Sequence, residues 1–101
     1  MPRELLAAQT ASGTSEEFTL YEPQFLPVSI TAGGLAGAEV ATLQYYDGAA
    51  WRDYYQDGNA SPEQVTPTNS MITIYAPGRW RVTKSATVAA VAISMHSRSH
   101  P

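Results

Sequence analysis

The sequence predicts an all-β domain. It reads as a single antiparallel β-sandwich of seven to eight strands, jelly-roll-like or immunoglobulin-like, with an extended N-terminal arm. Three observations carry this reading. Between Glu39 and Lys84, short runs of alternating apolar and polar residues recur about every ten residues, the spacing of sandwich strands. Turn chemistry separates them: Asp47-Gly48, Asp57-Gly58-Asn59 and Ala76-Pro77-Gly78-Arg79. Gly accepts positive φ without steric cost, and Pro presets the corner of a tight turn. Neither a long amphipathic helix nor a repeat of fixed period appears.

Residues 1–17 are assigned to the arm, 18–96 to the sandwich and 97–101 to a tail. The arm turns small and polar after Leu6. A short helix over Pro2–Gln9 and an extended segment are both compatible with it, and Thr14-Ser15-Glu16-Glu17 reads as a solvated lead-in. Phe18–Glu22 alternates, but Pro23 and Pro27 interrupt the pattern after it, which marks an edge strand or one that changes sheets. Val28–Thr31 alternates cleanly and leads into the flexible Gly33-Gly34-Leu35-Ala36-Gly37.

Val40–Tyr46 places Ala41, Leu43 and Tyr45 on one face and Thr42, Gln44 and Tyr46 on the other. After the Asp-Gly turn, Trp51, Asp53 and Tyr55 alternate with Arg52, Tyr54 and Gln56, so the two runs read as a hairpin. Residues 58–67 are loop. Met71–Tyr75 and Arg79–Thr83 are expected to form a second hairpin across Pro77-Gly78, and Thr87–Met95 is the last strand. Alternation assigns most of the core to Leu43, Ile72, Ile74, Trp80, Val82, Val91 and Ile93, with Tyr45 or Trp51 at its rim.

A chain of 101 residues has room for one core. Charged residues make up 15 % of it, against roughly 25 % in an average soluble domain, so its surface is cheap to desolvate. The net charge of −3 argues against nucleic-acid binding, which needs a basic footprint. With no cysteine there is neither a disulfide framework nor a thiolate metal site. No apolar run reaches the roughly 20 residues of a membrane span, and the first residues lack the layout of a signal peptide. Assembly in a cytoplasm is expected.

The candidate chemistry is thin. Hydrolysis needs two carboxylates converging on one bond. Asp47 and Asp57 precede glycines, where Asp serves the turn, and Asp53 is expected to pair with Arg52. His96 and His100 lack a third ligand, and Asp57-Gly58-Asn59 falls short of a calcium loop. No nucleophile elbow or phosphate loop is present. The chain therefore reads as a non-enzyme without cofactor or metal, and a chelator should not change its stability. The aromatic hairpin carries the one functional signal. Tyr46, Trp51 and Tyr54, with Arg79 and Arg81, are the expected partner-binding residues, since exposed aromatics and arginines favour protein contact. Stacking on sugar rings, as in a carbohydrate-binding module, is the alternative.

The segment from Leu35 to Met95 resembles small β-sandwich virion proteins of tailed bacteriophages, of the capsid-decoration or head-associated type. The resemblance lies in Thr42-Leu43-Gln44, in the Trp-centred strand Trp51–Gly58, in the corner Tyr75–Arg81 and in the Ala/Val-rich Thr87–Met95. It covers about three-fifths of the chain. It implies a structural protein of the virion, assembled in the host cytoplasm, whose partner is the major capsid protein or another virion protein. It also implies a homo-oligomer on the outer capsid surface, or alternatively a component of the tail or its fibres. It carries no catalytic residues. The arm Met1–Ser15 is expected to join the contact, gaining order from a partner's sheet edge.

Overall fold

The computed structural model describes residues 2–20, 28–55, 60–74 and 77–97. Ten strands and no helix appear among them: β1 (Pro2–Gln9), β2 (Gly13–Thr14), β3 (Phe18–Leu20), β4 (Val28–Ala32), β5 (Ala41–Tyr46), β6 (Trp51–Asp53), β7 (Gln64–Val65), β8 (Met71–Ile74), β9 (Gly78–Lys84) and β10 (Val91–Ser97). They form two antiparallel sheets packed as a sandwich. The smaller has the order β1-β10-β4-β8. The larger is built around β9 and β5, with β2 and β3 along the outer edge of β9 and with β6 and β7 along the outer edge of β5. The predicted antiparallel sandwich is therefore present, with more strands than the seven to eight expected.

The core lies between the sheets and follows the alternation in the sequence. Leu43, Ile72, Ile74, Trp80, Val82, Val91 and Ile93 are all buried, as predicted. Leu5, Phe18, Leu20, Val28, Ile30, Ala32, Ala41 and Val65 join them. Each fully buried aliphatic side chain contributes about 1.5–3 kcal/mol relative to exposure. Tyr45, not Trp51, packs at the rim, together with Tyr54.

The N-terminal segment is not an arm, and it is not a helix. β1 runs antiparallel to β10, with Arg3 opposite Met95 and Glu4 opposite Ser94. Leu5 is buried in the core. The register slips between Glu4 and Leu6 and again between Leu6 and Gln9. Such bulges destroy the two-residue period, which is why the segment lacks a strand-like pattern. Its backbone order comes from the edge of β10 in the same chain, so no partner's sheet is needed to supply it.

Beyond β1 the same segment stays tied down. The Thr87 amide donates to the Thr10 carbonyl at 2.8 Å, and the buried Lys84 donates through Nζ to the Ala11 carbonyl at 2.7 Å. β2 and β3 lie along one edge of β9, with Gly13 opposite Lys84 and Phe18 opposite Trp80. Between them, Ser15 is buried rather than solvated. Its amide donates to the Val82 carbonyl at 2.8 Å, and its Oγ accepts the Val82 amide at 2.9 Å. A serine hydroxyl thus stands in for a ladder carbonyl where the edge is interrupted.

The hairpin β5–β6 is present as predicted, with Tyr46 opposite Trp51 and Gln44 opposite Asp53. The second expected hairpin is absent. β8 pairs with β4 in the smaller sheet, whereas β9 pairs with β5 in the larger one. The Pro77-Gly78 corner is therefore a crossing between layers, and Gly78 there has φ +139°. Both sides of β9 are already taken, by β5 on one side and by β2 and β3 on the other. The tight-turn residues fit a crossing as well as a hairpin, because they dictate a change of direction and not a partner. The turns at Asp57-Gly58-Asn59 and Tyr75-Ala76, the prolines Pro23 and Pro27, and His100 in the tail lie outside the described residues.

Candidate protein-docking face

Strand parity sets what the larger sheet shows to solvent. On β5, Ala41, Leu43 and Tyr45 point inward, so Thr42, Gln44 and Tyr46 point outward. Across the ladder Tyr46 meets Trp51 and Gln44 meets Asp53 on β6, while Gln44 meets Arg81 on β9. Arg79 precedes the inward Trp80 and so shares the outer face. Four of the expected partner-binding residues, Tyr46, Trp51, Arg79 and Arg81, are thereby brought onto one surface.

These side chains brace one another. The Tyr46 and Trp51 rings lie 5.4 Å apart, inclined at 58°. The Arg79 guanidinium stands 4.3 Å from the centre of the Tyr46 ring, and that of Arg81 stands 4.4 Å from the Trp51 ring. Cation–π contacts at exposed sites are worth about 0.5–1 kcal/mol. Arg79 is also paired with the Glu17 carboxylate, whose hydrogen bond raises the guanidinium pKa further above its ordinary value. Arg81 Nε donates to Gln44 Oε1 at 2.8 Å, and Gln44 Nε2 donates to Asp53 Oδ1 at 2.9 Å. Gln44 thus relays between a guanidinium and a carboxylate. Asp53 is held this way rather than by Arg52, the partner expected from its place in the sequence.

Arg52 instead reaches Asp47, at the turn of the hairpin. Asp47 Oδ1 accepts the amides of Ala49 and Ala50, each at 2.8 Å. The hydrogen bond from Arg52, followed by those from Ala50 and Ala49, holds the Asp47 carboxyl well below the usual carboxylate range. The expected turn role of Asp47 is what the geometry shows, and its oxygens are engaged by its own hairpin.

Tyr54 departs from the expected site. It faces inward and stands edge-on to Trp80 at 5.1 Å and to Tyr45 at 6.0 Å. The signal that places it was available. Trp51, Asp53 and Tyr55 share one parity, and Tyr54 belongs to the other. Tyr55, absent from the expected contact residues, is half exposed.

No group of three or more His, Asp or Glu stands together as a metal site among the described residues. His96 Nε2 lies 3.3 Å from Thr31 Oγ1 on the outer face of the smaller sheet. A shallow groove of about 470 Å3 beside Ala36, Glu39 and Val88 is lined largely by small apolar residues. The Glu39 carboxylate there accepts the amides of Ala36 and Val88, at 2.9 and 3.0 Å. It acts as a clasp between the β4–β5 and β9–β10 connections. Comparison of the chain with protein-family models, curated proteins and solved structures gives no match.

Proposed function

We propose that this chain is a non-catalytic docking protein, and that the surface it docks on is a virus particle. In this reading it is a structural virion protein of a tailed bacteriophage that decorates the outer face of the capsid. Its partner is the major capsid protein, and it works as a homo-oligomer. The observation that carries the docking part is the outer face of the larger sheet. Tyr46 and Trp51 stand there braced by Arg79 and Arg81. Aromatic residues and arginine are the types enriched in protein interfaces, and their mutual stacking fixes their rotamers before a partner arrives. The phage placement rests on the sequence resemblance. The jelly-roll-like form is part of the same reading. Its support is the repeated change of sheet, between β1 and β2, β3 and β4, β4 and β5, β7 and β8, β8 and β9, and β9 and β10.

The test is co-sedimentation with capsids of the phage whose genome encodes the chain, with mass spectrometry of purified particles beside it. The full chain is expected to saturate the capsids at a fixed ratio, and Trp51→Ala combined with Arg81→Ala is expected to weaken binding at least tenfold. A chain absent from particles that does not sediment with them overturns the reading. Because residues 2–9 and 13–14 are already paired within the fold, this contact does not require a detached N-terminal arm.

A further inference from the structure

The edge of a sheet presents unpaired backbone N–H and C=O groups, and native folds blunt such edges with charge, proline, bulges or short length. Most edges of this sandwich are blunted. β1 carries Pro2, Arg3 and Glu4 and is broken by two bulges, and its Leu5 carbonyl already accepts the Glu16 amide at 3.1 Å. β2, β3 and β7 are two or three residues long. β6 is equally short and carries Arg52 and Asp53.

β8 differs. It is the other edge of the smaller sheet, and among the described residues its one ladder partner is β4. Its register against β4 is unbroken, from Met71 opposite Thr31 to Ile74 opposite Val28. Ile72, Thr73 and Ile74 are β-branched, which suits a strand. From Gln64 to Gly78 the sequence has no charged residue. Ile72 and Ile74 are buried in the core, whereas Met71 is half exposed and Thr73 shares its outward parity. A regular, uncharged edge of high strand propensity is thus unguarded, in the layer opposite Tyr46 and Trp51.

We propose that two copies of this chain join at β8, which pairs antiparallel with β8 of the second copy about a two-fold axis. This is the contact of the homo-oligomer proposed above, and it rests on that part of the reading alone. A second copy suits the edge because an antiparallel edge is complementary to itself: the spacing of N–H and C=O groups is the same on a copy running the other way. Residues facing each other across such a pair share a face of the sheet, so the axis passes through Ile72 or Thr73. Thr73 then faces Met71 or Thr73 of the second copy, and no like charges meet in either register. The pairing also closes on itself. It uses the β8 edge once, joins the two smaller sheets into one, and leaves the blunted β1 at both ends. An unguarded edge that found no such partner would invite open-ended aggregation.

Sedimentation of the full chain between about 1 µM and about 1 mM spans the range of a small transient interface. The mass is expected to rise with concentration to twice that of the monomer and no further. Met71→Lys combined with Thr73→Lys sets like charges opposite each other in either register, so it should weaken dimerisation about tenfold or more while the dilute variant melts close to the parent. Val88→Lys adds the same charge at an exposed position on the β9–β10 connection and should keep the dimer. Isotope-filtered NMR on mixed labelled and unlabelled parent reads the contact directly, whether or not the double variant folds: β8 of one copy should touch β8 of the other. The proposal is overturned by a parent that is monomeric at about 1 mM, by a dimer indifferent to the double substitution, or by contacts between copies at Trp51 and none at β8. A monomer whose capsid binding the double substitution abolishes also overturns it, and gives the edge to a strand of the capsid. A β8 dimer that binds no particle keeps this inference and removes the capsid reading. A monomer that saturates particles does the reverse.

Discussion

Truncating Leu5 tests whether residues 2–9 belong to the sandwich. Leu5 is buried among the core residues, on a strand whose one ladder partner among the described residues is β10. Core Leu→Ala substitutions cost about 2–5 kcal/mol, and an edge strand that can relax into the gap belongs at the lower end, about 2–3 kcal/mol. For a domain of about 100 residues each kcal/mol moves Tm by roughly 4–8 °C, so Leu5→Ala should melt roughly 8–24 °C below the parent. Total stability at this size is about 5–15 kcal/mol, so the variant should still fold. Glu4→Ala is the control. Glu4 is an exposed neighbour of opposite parity, and its truncation should stay within about 0.5 kcal/mol. Thermal unfolding followed by circular dichroism reads both. If Leu5→Ala melts within about 3 °C of the parent, a shift worth about 0.5 kcal/mol, β1 does not contribute to the core and the reasoning fails.

Two further outcomes are expected from the site geometry. Trp80→Ala should lose about 3–5 kcal/mol, because it empties the contact between Tyr45 and Tyr54; an unchanged melting temperature would refute its place in the core. Asp47 has its pKa lowered in the folded chain, so its contribution is present above the unfolded value of about 3.9 and fades as pH falls below it. Asp47→Asn should therefore melt below the parent at pH 7, with the gap narrowing as pH falls below about 3.9 and closing only once the pH passes the lowered folded value; a gap that widens on acidification would contradict the assignment.

Much of the local structure was legible in the sequence. The period-two runs around Leu43, Ile72, Val82 and Ile93 chose strands and the face each buries, and Asp47-Gly48 marked the β5–β6 turn. These are short-range effects, decided by side-chain alternation and by backbone dihedrals within a few residues. The candidate face was legible as far as parity was followed: Tyr46, Trp51, Arg79 and Arg81 share it, and Tyr54 was misplaced where parity was set aside. The stacking of Arg79 on Tyr46 and of Arg81 on Trp51 joins residues on different strands, so only the sheet order reveals it.

Pairing belonged to the tertiary structure. Met71–Ile74 and Gly78–Lys84 are adjacent in sequence yet lie in opposite layers, because a turn signal says that the chain changes direction and not which strand edge it meets. Residues 2–9 carry no alternation, since two bulges break it, and they become a strand only because the edge of β10 offers them hydrogen bonds. Lys84 is a further case: an amine that reads as a surface charge is buried, because the carbonyls of Ala11 and Ser85 converge on it from connections far apart and near in sequence. Local propensity is a property of a few neighbouring residues and is written in their order. Strand partners and buried polar groups depend on contacts between distant segments, and those exist only once both layers have closed on one core.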